Sequence, residues 1–239
     1  MIDVNSVLRK LFPNFLTILN LLFGFISIIL ISLSINGNNY INYACSLIFC
    51  AAIIDVFDGK VARKLGTSGD FGKQIDSLAD LVSFCLAPSY LIFFYYNDLI
   101  SLNVIPLALL SSLTLVIGAI RLARFNIYAE QSNNSYYIGL PTPANAIFIC
   151  SLISYMYNIH FFDLIDFSQW TSEQKFDIFN VLNYPLKMIF SFNEYIVLLF
   201  YILSSLLLIS SIRYAKFPQF NLNLNKKNTL SLLGLLIFL

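Results

Sequence analysis

From Phe15 to Ile35 the chain runs 21 residues without a charged side chain. A helix of that length is enough to cross the ~30 Å hydrocarbon core of a bilayer. Further apolar runs follow at Tyr40–Phe57, from near Lys73 past Pro88, at about Leu99–Ile120, at about Ala144–Phe162 and at Glu194–Ile212. With 58% hydrophobic residues, 11% charged and a mean hydropathy of +0.76, this is the composition of a membrane protein rather than of a soluble core. The expected fold is all-α: a polytopic membrane helix bundle of six full transmembrane helices, one domain over residues 1–239.

The flanking segments refine that picture. Apolar residues at Ile2, Val4, Val7, Leu8, Leu11 and Phe12, with Arg9 and Lys10 among them, predict a short amphipathic helix lying in the interface. Pro13 and Asn14 are expected to end it, and Pro88 to kink the third span. The final run, Leu230–Leu239, is too short to cross and reads as a partial seventh segment in a chain cut short. The stretch Asp163–Ser191 is polar and carries no recognisable motif. Cys45, Cys50, Cys85 and Cys150 all lie in apolar runs without paired spacing and read as small buried hydrophobes. His160, at the end of an apolar run, reads as interfacial. A net charge of +1 gives no basis for a nucleic-acid partner.

Chemistry concentrates between Asp55 and Asp80. Asp55 and Asp58 are spaced i, i+3 and Asp76 and Asp80 i, i+4, so each pair shares a helix face. Carboxylates at the edge of a membrane are costly unless paired or metal-bound. Hard oxygen ligands from two helices suit Mg²⁺, Mn²⁺ or Ca²⁺ rather than zinc.

The pattern Asp55-x-x-Asp58-Gly59-x-x-Ala62-Arg63, eight residues, then Gly72-x-x-x-Asp76-x-x-x-Asp80 resembles the signature of the CDP-alcohol phosphatidyltransferases at every specified position. Three more segments resemble the phosphatidylserine synthase branch of that family: Pro13-Asn14-x-x-Thr17-x-x-Asn20-x-x-x-Gly24, Arg121-Leu122-Ala123-Arg124-Phe125-Asn126 and Gly139-Leu140-Pro141-Thr142-Pro143-Ala144. The resemblance implies phosphatidyl transfer from CDP-diacylglycerol to an alcohol, with loss of CMP. It implies Asp55, Asp58 and Asp76 as metal ligands, and Asp80 as general base that also touches a second metal. The metal would be Mg²⁺ or Mn²⁺, two ions per site. Gly59, Ala62, Arg63 and Gly72, with Asp58, Thr17 and Asn20, would hold CDP-diacylglycerol. A homodimer in a lipid environment is compatible with this reading.

The acceptor and the orientation rest on basic residues. With the N-terminus inside, 12 of the 14 lysines and arginines fall on the cytoplasmic side, leaving only Lys175 and Lys187 outside. The aspartates then face the cytoplasm from the inner membrane. L-serine is the expected acceptor: its carboxylate wants a guanidinium fork, and Arg121 and Arg124, spaced i, i+3, offer two, with Asn126 beside them. Glycerol 3-phosphate is the runner-up, because two arginines could equally hold a phosphate. An aspartate-rich membrane prenyltransferase would need a second acidic motif, which the sequence lacks. A divalent-cation transporter would need acidic residues in mid-span, where the sequence is apolar.

Overall fold

The computed structural model describes residues 4–34, 40–66, 69–99, 103–128, 136–156 and 194–215. His160, the polar stretch 163–191 and the terminal run 230–239 lie outside the described residues. Helix α1 (Val4–Leu33) packs along α2 (Ile41–Leu65). Then come α3 (Asp70–Asp80), a π-helical segment (Leu81–Leu86) and α4 (Ala87–Leu99) as one continuous rod. Helices α5 (Val104–Ser111) and α6 (Leu113–Tyr128) form a second rod. Strand β1 (Tyr136–Ile138), α7 (Thr142–Met156), α8 (Glu194–Ile209) and β2 (Arg213–Ala215) complete the order.

Among the described residues, three helical stretches are long and apolar enough to cross a membrane: Pro13–Leu33, Asp70–Asn97 and Val104–Ile127. Helices α7 and α8 are shorter apolar helices. Large apolar side chains such as Phe15, Leu22 and Phe25 on α1 and Leu109 and Val116 on the second rod point outward. In water such faces would drive association, whereas lipid is their natural solvent. The chain is a membrane protein, and its core is the inward side of the bundle, where Phe84, Leu91, Tyr96, Ile149 and Tyr201 interlock.

The structure departs from expectation at three places. Pro13 does not end a helix; it lies inside α1, which spans 30 residues and so about 45 Å. Proline removes one backbone donor, a loss that membrane helices tolerate; one turn on, the Thr17 hydroxyl donates to the Pro13 carbonyl at 3.2 Å. At Pro88, where a kink is expected, there is a π-helical turn just upstream: the Ala87 N–H bonds to Val82 O, five residues back, so the register loosens before the residue that has no N–H to give. The expected all-α fold also contains two three-residue strands, paired antiparallel with Tyr137 opposite Tyr214. Cys50 is exposed on α2 while Cys45, Cys85 and Cys150 are buried, so one of the four cysteines faces outward.

The second rod bends at Ser112, between α5 and α6, and Tyr201 of α8 spans the break. Its hydroxyl donates to Ser111 O and accepts from the Thr114 N–H, while Thr114 Oγ1 meets Ser205 Oγ at 2.7 Å. Orphaned backbone groups are thereby satisfied without water, as an apolar bundle requires.

The strand pair clamps the entry to α7. Gly139 adopts φ +78 and donates to Ile212 O at 2.9 Å, and Leu140 donates to Leu207 O at 3.0 Å. A β-carbon on Gly139 would collide with Leu208 O, so both the conformation and the space demand glycine. Gly66, with φ +64, closes α2 in the left-handed conformation usual after a helix.

Candidate active site

Helix α2 does not end at the aspartates. It runs on to Leu65, so Asp55 and Asp58 project from within a helix rather than from its end. Asp76 and Asp80 sit in the last two turns of α3, where the rod passes into its π-helical segment. One carboxylate oxygen from each of Asp55, Asp76 and Asp80 lies within 4.8 Å of the others, with Asp80 buried and the other two half-buried. Two unit charges at that separation repel by about 3–4 kcal/mol even at an effective dielectric constant near 20. Three hard oxygen donors from two rigid helices, gathered in a partly desolvated site, fit a divalent cation such as Mg²⁺ or Mn²⁺ and would be a poor arrangement for anything but a cation.

Asp58 stands outside that triplet. It is 3% exposed, and the Thr17 hydroxyl donates to its Oδ2 at 3.1 Å. It remains an electrostatic neighbour of Asp80. Thr17 and Asn20 lie on the buried face of α1, and Gly24 continues it. A β-carbon on Gly24 would sit 2.7 Å from Ser83 Cα, so this glycine lets α1 and the π-helical segment touch backbone to backbone. The Ser83 hydroxyl then reaches the Asn20 carbonyl at 2.9 Å. The Asn20 side chain is fully buried, and neither its Oδ1 nor its Nδ2 has a hydrogen-bond partner among the described residues.

The other expected site residues fall as follows. Gly59 is half-buried, next to Asp58 on α2, and Ala62 and Arg63 follow in the same helix. Gly72 lies near α1; a β-carbon there would be 3.6 Å from Asn14 Oδ1. Arg121 and Arg124 both belong to α6 rather than to a segment beyond it, and they diverge. Arg121 is half-buried and acts electrostatically on Asp80. Arg124 is exposed, its Nη1 3.5 Å from the Ile209 carbonyl at the end of α8, where a cation complements the helix dipole. Asn126 pairs with Ser77: its Nδ2 donates to Ser77 Oγ at 2.9 Å, tying α6 to α3 one residue past Asp76.

Sequence reasoning named Thr142 only within the Gly139–Ala144 segment, with no role of its own, and did not single out Asn145. Both are buried on α7, and no polar side-chain atom of either has a hydrogen-bond partner among the described residues. Their signal was present as two polar residues spaced i, i+3 on a mostly apolar helix.

Comparison with known proteins agrees with this geometry. Residues 10–172, more than half the chain, match the CDP-alcohol phosphatidyltransferase family. A CDP-diacylglycerol–serine O-phosphatidyltransferase of Helicobacter pylori (strain ATCC 700392 / 26695) is 34% identical over 218 residues, covering 90% of this chain and 76% of that protein. A protein of the same name from Methanocaldococcus jannaschii is 41% identical over 150 residues, 61% of this chain and 63% of the relative. An archaetidylserine synthase of Methanothermobacter thermautotrophicus is 39% identical over 141 residues, 58% and 56% of the two chains. With three of the four signature aspartates brought together from two helices and this extent of match, the chain belongs to the CDP-alcohol phosphatidyltransferase family.

Proposed function

We propose that this protein transfers the phosphatidyl group of CDP-diacylglycerol to the hydroxyl of L-serine, giving phosphatidylserine and CMP. The observation that carries the chemistry is the convergence of Asp55, Asp76 and Asp80 within 4.8 Å, with Asp58 held beside them by Thr17. The serine acceptor is supported by the relatives' names, above all the Helicobacter pylori protein that matches along 90% of the chain.

In this reading the serine hydroxyl attacks the phosphorus that bears diacylglycerol. A new P–O bond forms to serine, the P–O bond to CMP breaks, and CMP leaves with the electron pair. The hydroxyl proton goes to a carboxylate oxygen of Asp80, the most buried member of the triplet and the one nearest the π-helical turn. A carboxylate in hydrogen-bond reach of the attacking hydroxyl is what an otherwise weak nucleophile needs. Asp55, Asp58, Asp76 and Asp80 would hold two Mg²⁺ or Mn²⁺ ions, which when bound neutralise the pyrophosphate oxygens. Gly59 and Ala62 leave room for the nucleotide along α2, and Arg63 and Gly72 flank it. Thr17 keeps the Asp58 carboxylate oriented, and Asn20 offers an unmet amide to the substrate. Arg121, beside Asp80, binds the serine carboxylate, with Arg124 and Asn126 further along the same helix.

The catalytic unit is one membrane domain over residues 1–239, with six spans and an interfacial N-terminal turn. The active site faces the cytoplasm from the inner membrane, and a homodimer is compatible with the outward apolar faces. The reading is tested by giving purified protein CDP-diacylglycerol, Mg²⁺ or Mn²⁺ and a panel of alcohols. CMP release with serine is expected, and its loss with a chelator. CMP release with glycerol 3-phosphate and not serine would overturn the acceptor and leave the family standing. Labelling of a cysteine at position 67 only from outside would overturn the orientation.

A further inference from the structure

Asn145 is fully buried on α7, and both its Oδ1 and its Nδ2 lack hydrogen-bond partners among the described residues. Thr142, one turn earlier on the same face, is equally buried, and its Oγ1 is unmet as well. A buried amide left unsatisfied is costly, and a side chain kept for architecture would normally show the bond that justifies it.

Their position explains the omission. Thr142 heads the inward stripe of α7 that continues through Asn145, Ile149 and Ile153. Its methyl lies at the edge of the space above Gly118, where a β-carbon would be 4.0 Å from Thr142 Cγ2 and would overlap Cys85 Sγ. Gly118 and Arg121 are i, i+3 on α6, so Arg121 leaves the same helix face one turn on. Asp80 and Arg121 both act electrostatically on Cys85. Thr142 therefore adjoins Gly118 and Cys85, one turn of α6 from Arg121 and within the electrostatic reach of Asp80, and Asn145 lies one turn further along the same face of α7. The clamp at Gly139 and Leu140 holds the start of α7 in this register.

The chemistry left unassigned there is specific. A serine acceptor carries an ammonium as well as a carboxylate. Arginine offers donors only, and carboxylates committed to a cation have few lone pairs to spare. The ammonium needs neutral oxygen acceptors in a site that excludes water. We propose that Thr142 and Asn145 are specificity-determining residues that receive the zwitterionic end of the acceptor, Thr142 Oγ1 and Asn145 Oδ1 accepting from the ammonium and Asn145 Nδ2 donating to the carboxylate. The inference deepens the serine reading above and rests on it. It also accounts for discrimination against a polyol phosphate, which brings no ammonium and would leave these acceptors unmet.

The test uses the full chain in mixed micelles with CDP-diacylglycerol, Mn²⁺ and serine. Asn145→Leu should raise KM for serine roughly 10- to 150-fold, the effect of losing a hydrogen bond to a charged group, with KM for CDP-diacylglycerol changed by no more than about twofold. Thr142→Val should move the same constant in the same direction, and Thr142→Ser should keep it near wild type. Without serine, Asn145→Leu should unfold at or above the wild-type temperature, because it removes an unmet buried amide. An unchanged serine KM in Asn145→Leu overturns the proposal. So does early unfolding, failure to fold, or a parallel rise in both KM values, each of which marks a structural amide. Wild-type protein that releases no CMP with serine would instead overturn the acceptor reading itself, a failure visible before any variant is made.

Discussion

Thr17→Val isolates one hydrogen bond at the heart of the site. The Thr17 hydroxyl has one proton and two acceptors in reach, Asp58 Oδ2 at 3.1 Å and Pro13 O at 3.2 Å. Valine has nearly the same shape and no donor. Asp58 is 3% exposed, so water cannot take the hydroxyl's place. Losing a donor to a buried carboxylate costs about 1.5–3 kcal/mol, or roughly 10- to 150-fold where it enters an equilibrium constant. Thr17→Ser keeps the donor and gives up one methyl group, about 0.8 kcal/mol of burial. The expected order of stability in thermal unfolding is therefore wild type, then Thr17→Ser, then Thr17→Val. Apparent affinity for Mn²⁺, read from titrations of CMP release, should follow the same order. If Thr17 mattered only for packing, the order would invert, with valine at or above wild type and serine last. That inversion, or unchanged metal dependence in Thr17→Val, would refute the role of Thr17 in holding Asp58.

Asp80→Asn should stay folded and bind CDP-diacylglycerol while turnover falls by at least ~10²- to 10⁴-fold, measured as CMP release, because an amide cannot take the hydroxyl proton. Arg121→Ala should raise KM for serine roughly 10- to 150-fold by removing a charge-assisted bond. Arg124→Ala, whose exposed guanidinium reaches the end of α8, should cost no more than ~1 kcal/mol in the same assay. Gly24→Ala should lower the unfolding temperature, since its β-carbon would lie 2.7 Å from Ser83 Cα; such overpacking costs about 1–3 kcal/mol.

The aspartates were legible because their spacing is a property of the helix itself. Residues at i, i+3 or i, i+4 share a face whatever the helix packs against, so the two pairs could be placed before any tertiary contact was known. What spacing cannot give is which pair members meet across helices. Asp55 joins Asp76 and Asp80, whereas Asp58, three residues on, turns toward Thr17 of α1. The same limit separated Arg121 from Arg124. Their i, i+3 relation is real, yet Arg121 falls beside the aspartates and Arg124 beside the end of α8.

Pro13 misled for a related reason. It carries a local penalty, a missing N–H, and local rules read that penalty as a break. In an apolar bundle the backbone has nowhere else to find partners, so a break would strand more groups than the proline does. The helix instead runs on through Pro13, and a π-helical turn precedes Pro88. Both prolines lie near residues of the site. Thr17, whose hydroxyl also reaches the Pro13 carbonyl, holds Asp58. The π-helical turn that accommodates Pro88 begins at the residue after Asp80 and carries Ser83 and Cys85 inward, against Gly24 of α1 and Gly118 of α6. In a regular α-helix Asp80 already shares a face with Ser83 and Phe84, at i, i+3 and i, i+4. The wider turn turns Cys85 inward beside them. The two prolines thus lie beside the segments through which α1, α3 and α6 meet around one set of carboxylates.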